Sequence, residues 1–226
     1  DAGLVNGGSY TYTARVVDAA SNSGPLSADY VITLDTSPPE QTTTITSAID
    51  NVDPLQGTLA SGSVTNDTTP QLNGTLSNAL EAGESVAIYR DGAQIGTATM
   101  TGATTWSYLD SGLANATTYS YTARVVDAAG NLGSASSAFA LTVDTAAPTQ
   151  SVSITTITDN VDPDQGTVAS GGTTNDTSPL LSGDVNAALS SGESVVVYRD
   201  GVTIGTATMT SATTWTFQDS ALVDGV

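Results

Sequence analysis

The chain has 226 residues, with 23 acidic residues against 4 basic ones and a net charge of −19. All four bases are arginines (Arg15, Arg90, Arg124, Arg199), lysine, histidine and cysteine are absent, and 19 of the acids are aspartates. The sign excludes nucleic acid as a partner, the lack of cysteine excludes disulfides and thiolate metal sites, and 38% hydrophobic with only 12% charged residues excludes an acidic disordered tail.

Asp1 opens the chain without methionine or signal peptide, so it reads as an excised fragment. No run approaches the roughly 18 apolar residues of a membrane helix. The first strand signal is "YTYTARVVDAA" (10–20), which ends in a turn carrying Asp18 and Asn22. A second strand closes at Asp35, before the proline-containing junction "LDTSPPEQT" (34–42). "TTTITSA" (42–48) and "PQLNGTL" (70–76) are strands on either side of a long oxygen-rich loop. "SVAIYRDGAQIGTATM" (85–100) is a hairpin around Asp91-Gly92, a favoured two-residue turn. "TTWSYLD" (104–110), "TTYSYTARVVD" (117–127) and "SSAFALTVD" (136–144) follow. In the sixth strand Tyr119, Tyr121, Ala123 and Val125 point one way, and Ser120, Thr122 and Arg124 the other. Seven strands in this length predict an immunoglobulin-like sandwich. "LANATTY" (113–119), matched by "LVNGGSY" (4–10), resembles the tyrosine corner of such sandwiches, although Tyr121 stands where antibody domains would have their second cysteine.

Beyond the second junction, "VDTAAPTQS" (143–151), the chain repeats itself at an offset of 109 residues. "YTYTARVVDAA" (10–20) returns as "YSYTARVVDAA" (119–129), "YRDGAQIGTATMTGATTWS" (89–107) as "YRDGVTIGTATMTSATTWT" (198–216), and "TNDTTP" (65–70) as "TNDTSP" (174–179). That period has the size of a whole domain. The fold class is therefore all-β, a tandem array of immunoglobulin-like sandwiches. Residues 1–36 are the C-terminal third of one repeat, 37–145 a complete repeat and 146–226 the N-terminal two-thirds of another. Trp106 and Trp215 are expected in the cores. The incomplete ends read as cut from a longer array; were the chain complete, the tail of one copy would be expected to dock with the head of the next by strand complementation.

The acidic residues gather in loops without counter-charges. The loop 47–70 supplies Asp50, Asn51, Asp53, Asn66 and Asp67, and its counterpart supplies Asp159, Asn160, Asp162, Asp164, Asn175 and Asp176. "VVDAAGN" ends the sixth strand with Asp127 and Asn131, repeated as Asp18 and Asn22, and Asp35 and Asp144 close the last strand of their repeats. Calcium takes six to eight oxygens from carboxylates, Asn side chains and backbone carbonyls, and short aspartates suit rigid loop sites. Residues 37–145 hold ten acids and two arginines, a net charge of −8; roughly three to five divalent cations would bring the repeat close to neutrality. At least one calcium site per repeat is expected. "NVDPDQG" begins like an EF-hand, but no glutamate follows at the twelfth position. Two readings without metal stand beside this one: the acidity serves solubility, and Asp and Asn next to Gly and Pro serve only as turn residues.

"VVDAAGN", "VDTAAPT" and the "TDNVDP…TNDTTP" loop resemble the tandem bacterial Ig-like extender repeats of giant calcium-dependent RTX adhesins, exported by type I secretion and found in biofilm and ice-binding adhesins. The resemblance implies an extracellular, cell-surface spacer whose calcium ions stiffen the chain and hold a distal binding domain away from the cell. It also implies that Asp35 or Asp144 shares an inter-domain calcium with the Asp50–Asp53 or Asp159–Asp162 loop that follows. An enzyme is not expected, because no histidine, cysteine or lysine can act as base or nucleophile. The alternative is a ligand-binding module, in which Thr97, Thr99 and Thr101 of "IGTATMT" would face ice or sugar. The sequons at Asn66, Asn115 and Asn175 are read as incidental.

Overall fold

Alternation of apolar and polar residues, punctuated by Gly, Asn and Asp, becomes strand and turn along the chain. In the computed structural model, which describes residues 3–54, 56–163, 165–220 and 222–223, every regular element among the described residues is a β-strand. Two units separate at the second junction, Asp1–Ala146 and Ala147–Val226.

The first unit opens with a two-stranded hairpin, β1 (Ser9–Tyr12) and β2 (Tyr30–Thr33). The complete repeat follows with β3 (Thr43–Asp50), β4 (Gly57–Leu59), β5 (Ser63–Thr65), β6 (Gln71–Leu76), β7 (Ser85–Arg90), β8 (Ala93–Thr97), β9 (Thr99–Met100), β10 (Thr105–Leu109), β11 (Thr117–Val126) and β12 (Phe139–Val143). They form two five-stranded sheets, in the orders β4-β3-β6-β10-β9 and β5-β12-β11-β7-β8. The inward residues of both sheets make one core, including Leu72, Ile88, Trp106, Tyr121, Val125 and Leu141. This is an immunoglobulin-like sandwich, with alternate burial along β11 as its sequence alternation requires. Trp106 leaves no room opposite it: a Cβ on Gly74 would lie 2.1 Å from its ring.

Two sequence expectations need correction. The stretch 47–70 is not one long loop, because β4 pairs with the end of β3 and β5 pairs in parallel with β12. Nor is 85–100 one hairpin. The Asp91-Gly92 turn forms, both residues at positive φ (52° and 83°), but the chain then changes sheet at Ala98, so Thr97 belongs to one sheet and Thr99 to the other. Thr97, Thr99 and Thr101 thus form no single flat array.

The second unit repeats the pattern with β13 (Val152–Asp159), β14 (Gly166–Val168), β15 (Leu180–Val185), β16 (Val196–Arg199), β17 (Val202–Thr206), β18 (Thr208–Met209) and β19 (Thr214–Gln218). One sheet is whole, in the order β14-β13-β15-β19-β18; the other is reduced to β16-β17. Its core is correspondingly smaller, centred on Trp215, Leu181 and Val197.

Candidate metal centre

The aspartates of the loop 50–67 are held by nearby donors. Asp50 and Asp67 are buried. Asp50 accepts from Thr65 Oγ1 at 2.6 Å and from the Val52 amide at 2.8 Å. Asp67 accepts from the Thr69 amide at 2.7 Å, from Thr69 Oγ1 at 3.0 Å and from the Asn51 amide at 3.3 Å. Asn66 Nδ2 donates to the Asp53 carbonyl, and Asp53 Oδ1 accepts from Gln56 Nε2. The second unit reproduces this with Asp159 on Thr174 and Val161, Asp176 on Ser178 and Asn160, Asn175 on the Asp162 carbonyl, and Asp162 on Gln165. Asp164 lies outside the described residues. The hydroxyl of Thr174, followed by the Val161 amide, holds the Asp159 carboxyl below the usual carboxylate range.

Asp127 and Asp18 close identical turns. Asp127 Oδ1 accepts from the Ala129 and Asn131 amides and its Oδ2 from Asn131 Nδ2; Asp18 does the same with Ala20 and Asn22. The side-chain bonds from Asn131 and Asn22, ahead of the amides, lower both carboxyl pKa values. These turns match the reading of Asp and Asn as turn residues. Among the described residues no three carboxylates converge closely enough to share one metal ion.

A different arrangement exists where residues 1–36 meet the complete repeat. A cavity of about 470 Å³ is lined by Asp35, Glu40, Glu81, Glu84 and Asp127, with no arginine in its wall. Gln41, 8% exposed, also lines it, and its Oε1 is buried without a hydrogen-bond partner. The equivalent Gln150 Oε1 of the second unit is unpartnered as well. The wall thus offers hard oxygen donors, the carboxylates and the orphaned amide oxygen, although Asp35, Glu84 and Asp127 already accept hydrogen bonds from the Ser37, Glu81 and Asn131 amides. Asn131 Nδ2 donates to the Asp35 carbonyl, joining the two segments.

This placement corrects the expected pairing of Asp35 with the Asp50–Asp53 loop. The chain leaves the cavity at Gln41, enters β3 at Thr43 and runs eight residues to Asp50, which at about 3.3 Å per residue puts that loop some 25 Å away. The loop instead neighbours the other end of its own repeat, where the Asp144 amide donates to the Thr65 carbonyl at 2.8 Å. Glu40, Glu81, Glu84 and Gln41 were not among the expected site residues. Their signal was a glutamine just before a strand and the "EAGES" turn, which return as Gln150 and "SSGES" with Glu84 kept as Glu193.

A buried network in the same sandwich was also missed. Arg90 Nη1 donates to both Asp110 oxygens at 2.8 Å, and the Tyr121 hydroxyl donates to Asp110 Oδ2 at 2.6 Å. Burial, then the bond to Asp110, raises the Tyr121 pKa far above that of a free phenol. Tyr119 makes the expected corner by accepting from the Ala114 amide at 2.8 Å, and Arg90 lies 5.4 Å from the centroid of its ring.

Residues 43–145 match the family model of a bacterial Ig-like domain. The chain is also 33% identical over 146 residues to Exoglucanase B of Cellulomonas fimi; the match takes in 64% of this chain and 12% of that protein. Among the described residues no helix is long and apolar enough to cross a membrane.

Proposed function

We propose that this chain belongs to the spacer region of a large bacterial cell-surface adhesin, and that calcium bound at the junctions between its Ig-like repeats stiffens it. The observation that carries this reading is the acidic junction cavity with its orphaned Gln41 oxygen. Among the described residues no three of the wall's carboxylates already meet, so an ion would have to draw side chains such as Asp35, Glu40 and Glu84 towards the Gln41 amide oxygen as it binds. The ion would neutralise charges that otherwise repel one another across the junction. Near-identical copies suit length better than specificity, and a chain without lysine, histidine or cysteine suits a scaffold better than a catalyst. The family match and the partial likeness to an exoglucanase support an extracellular setting and do not extend to that enzyme's activity.

Thermal melts of the whole chain in calcium, magnesium and EGTA test the reading. Calcium, far more than magnesium, should raise the melting temperature, by about 2.7 kcal/mol of stability per site at a hundred-fold excess over Kd. Replacing both Glu40 and Glu84 by glutamine should remove most of the calcium effect while leaving the EGTA melt intact. A melt that is the same in calcium and EGTA sinks the proposal.

A further inference from the structure

Two of the eight prolines follow an aspartate, at Asp53-Pro54 and Asp162-Pro163, and these pairs lie 109 residues apart. The bond to proline is a tertiary amide, whose nitrogen takes up a proton more readily than other peptide nitrogens and so leaves more easily in acid. In both loops the aspartate stands between the same two amides. Asn66 Nδ2 donates to the Asp53 main-chain carbonyl at 2.8 Å, and Gln56 Nε2 donates to Asp53 Oδ1 at 3.1 Å. In the second loop Asn175 and Gln165 make the equivalent bonds to Asp162 at 2.9 Å and 3.2 Å.

The carbonyl that Asn66 holds is the one bonded to the proline nitrogen. Asn66 is itself fixed between two buried residues, Thr65, which is bonded to Asp50, and Asp67, which is bonded to the Asn51 amide. Asp53 and Pro54 are exposed, so water reaches the bond. The residue after the proline differs between the loops, leucine in one and aspartate in the other, while Asp, Pro, Gln and Asn are the same. A carboxylate, a donor that orients it and a second donor on the neighbouring carbonyl are the parts of an acyl-transfer site.

We propose that Asp53-Pro54 and Asp162-Pro163 are self-cleavage sites, at which the aspartate cuts the bond on its own C-terminal side in mild acid. A carboxylate oxygen of Asp53 attacks the Asp53 carbonyl carbon and closes a five-membered cyclic anhydride, while Asn66 Nδ2 holds the developing oxyanion. The carbon–nitrogen bond to Pro54 breaks, and the nitrogen takes a proton from solvent and leaves as a secondary amine. Water then opens the anhydride, which restores the Asp53 side chain and leaves a new C-terminal carboxyl. The net change is hydrolysis of one peptide bond. The cut falls between β3 and β4, so β3 is afterwards held only by its pairing with β4 and β6. A chain nicked in this way would hold at rest and part under load.

The test is to hold the whole folded chain in buffer of about pH 4, then denature it and read the fragments by mass spectrometry. Fragments 1–53, 54–162 and 163–226 should appear, about tenfold faster than in the same buffer with urea. Asn66→Ala should slow the first cut about tenfold, while the second cut, which keeps Asn175, holds its rate as an internal standard. Gln56→Ala, at an exposed position, should slow the first cut in the same selective way, so the result does not hang on one variant's folding. Equal rates with and without urea, cuts spread over other aspartyl bonds, or a first cut indifferent to both variants would each overturn the proposal.

Discussion

Trp106 and Trp215 hold equivalent places in two repeats, one described with ten strands and one with seven. Both rings are buried, at 1% and 2% exposure. Trp106 Nε1 donates to Thr43 Oγ1 at 2.9 Å, whereas Trp215 Nε1 has no partner, since Val152 replaces the threonine. Asp110 anchors both an arginine and a tyrosine, while among the described residues Asp219 takes one charged side chain, Arg199. The apolar half of a sandwich forms from one sheet and a few neighbours. The indole's polar partner is set by a single position, threonine in one repeat and valine in the other.

Asp110→Ala breaks this contrast most strongly. It leaves the Arg90 charge and the Tyr121 hydroxyl without their shared acceptor, and should cost about 3–5 kcal/mol. Asp219→Ala should cost less, because Arg199 is 35% exposed against 25% for Arg90 and no buried tyrosine hydroxyl among the described residues loses its acceptor. Each repeat has one tryptophan, so denaturation followed by fluorescence in Trp215→Phe and Trp106→Phe backgrounds reports them separately. Equal losses in the two repeats would refute the argument.

A smaller effect comes from exchanging the indole partners. Thr43→Val should destabilise the complete repeat by about 1–3 kcal/mol, since it strands a buried N–H. Val152→Thr should stabilise the second repeat by about 1 kcal/mol by supplying the missing acceptor. Same-sign shifts in urea midpoint for the two variants would show that the unpartnered Trp215 nitrogen does not matter.

The smallest effect is a local pH dependence. The Asp159 carboxyl is held below its ordinary value, so its contribution is complete at neutral pH and fades as pH falls below about 4, through the lowered folded value. The protection factor of the Val161 amide, which donates to Asp159, should fall over that range, and Asp159→Asn should flatten the response. An unchanged protection factor would show that the carboxylate does not hold the loop.

Periodicity made the strands legible, because a face buried on one side must alternate, as Tyr121, Ala123 and Val125 do in β11. The tyrosine corner and both core tryptophans could be read from local spacing alone. β4 and β5 could not, since three residues each give no period and exist only through their partners. Residues 172–174, at the place equivalent to β5, form no strand. The candidate site was partly legible for a similar reason. Asp35 and Asp127 stood out by repetition, but Gln41 and Glu84 meet them only through the antiparallel folding of β3, β7 and β11, which brings distant termini to one end.

That same folding decides how the complete repeat would bear a pull. The chain enters beside Gln41 and Asp127, and it leaves at Val143, which pairs with Thr117 at the far end of the ten-residue β11. Entry and exit therefore lie at opposite ends, and tension between them runs along the strands. The bonds of β12 to β11 and to β5 lie across that direction, so they are loaded together in shear instead of opening one after another. A force–extension trace of the repeat should show one high rupture peak, and stepwise yielding at low force would contradict it. On this geometry, a string of such domains stretches little until a whole sandwich gives way.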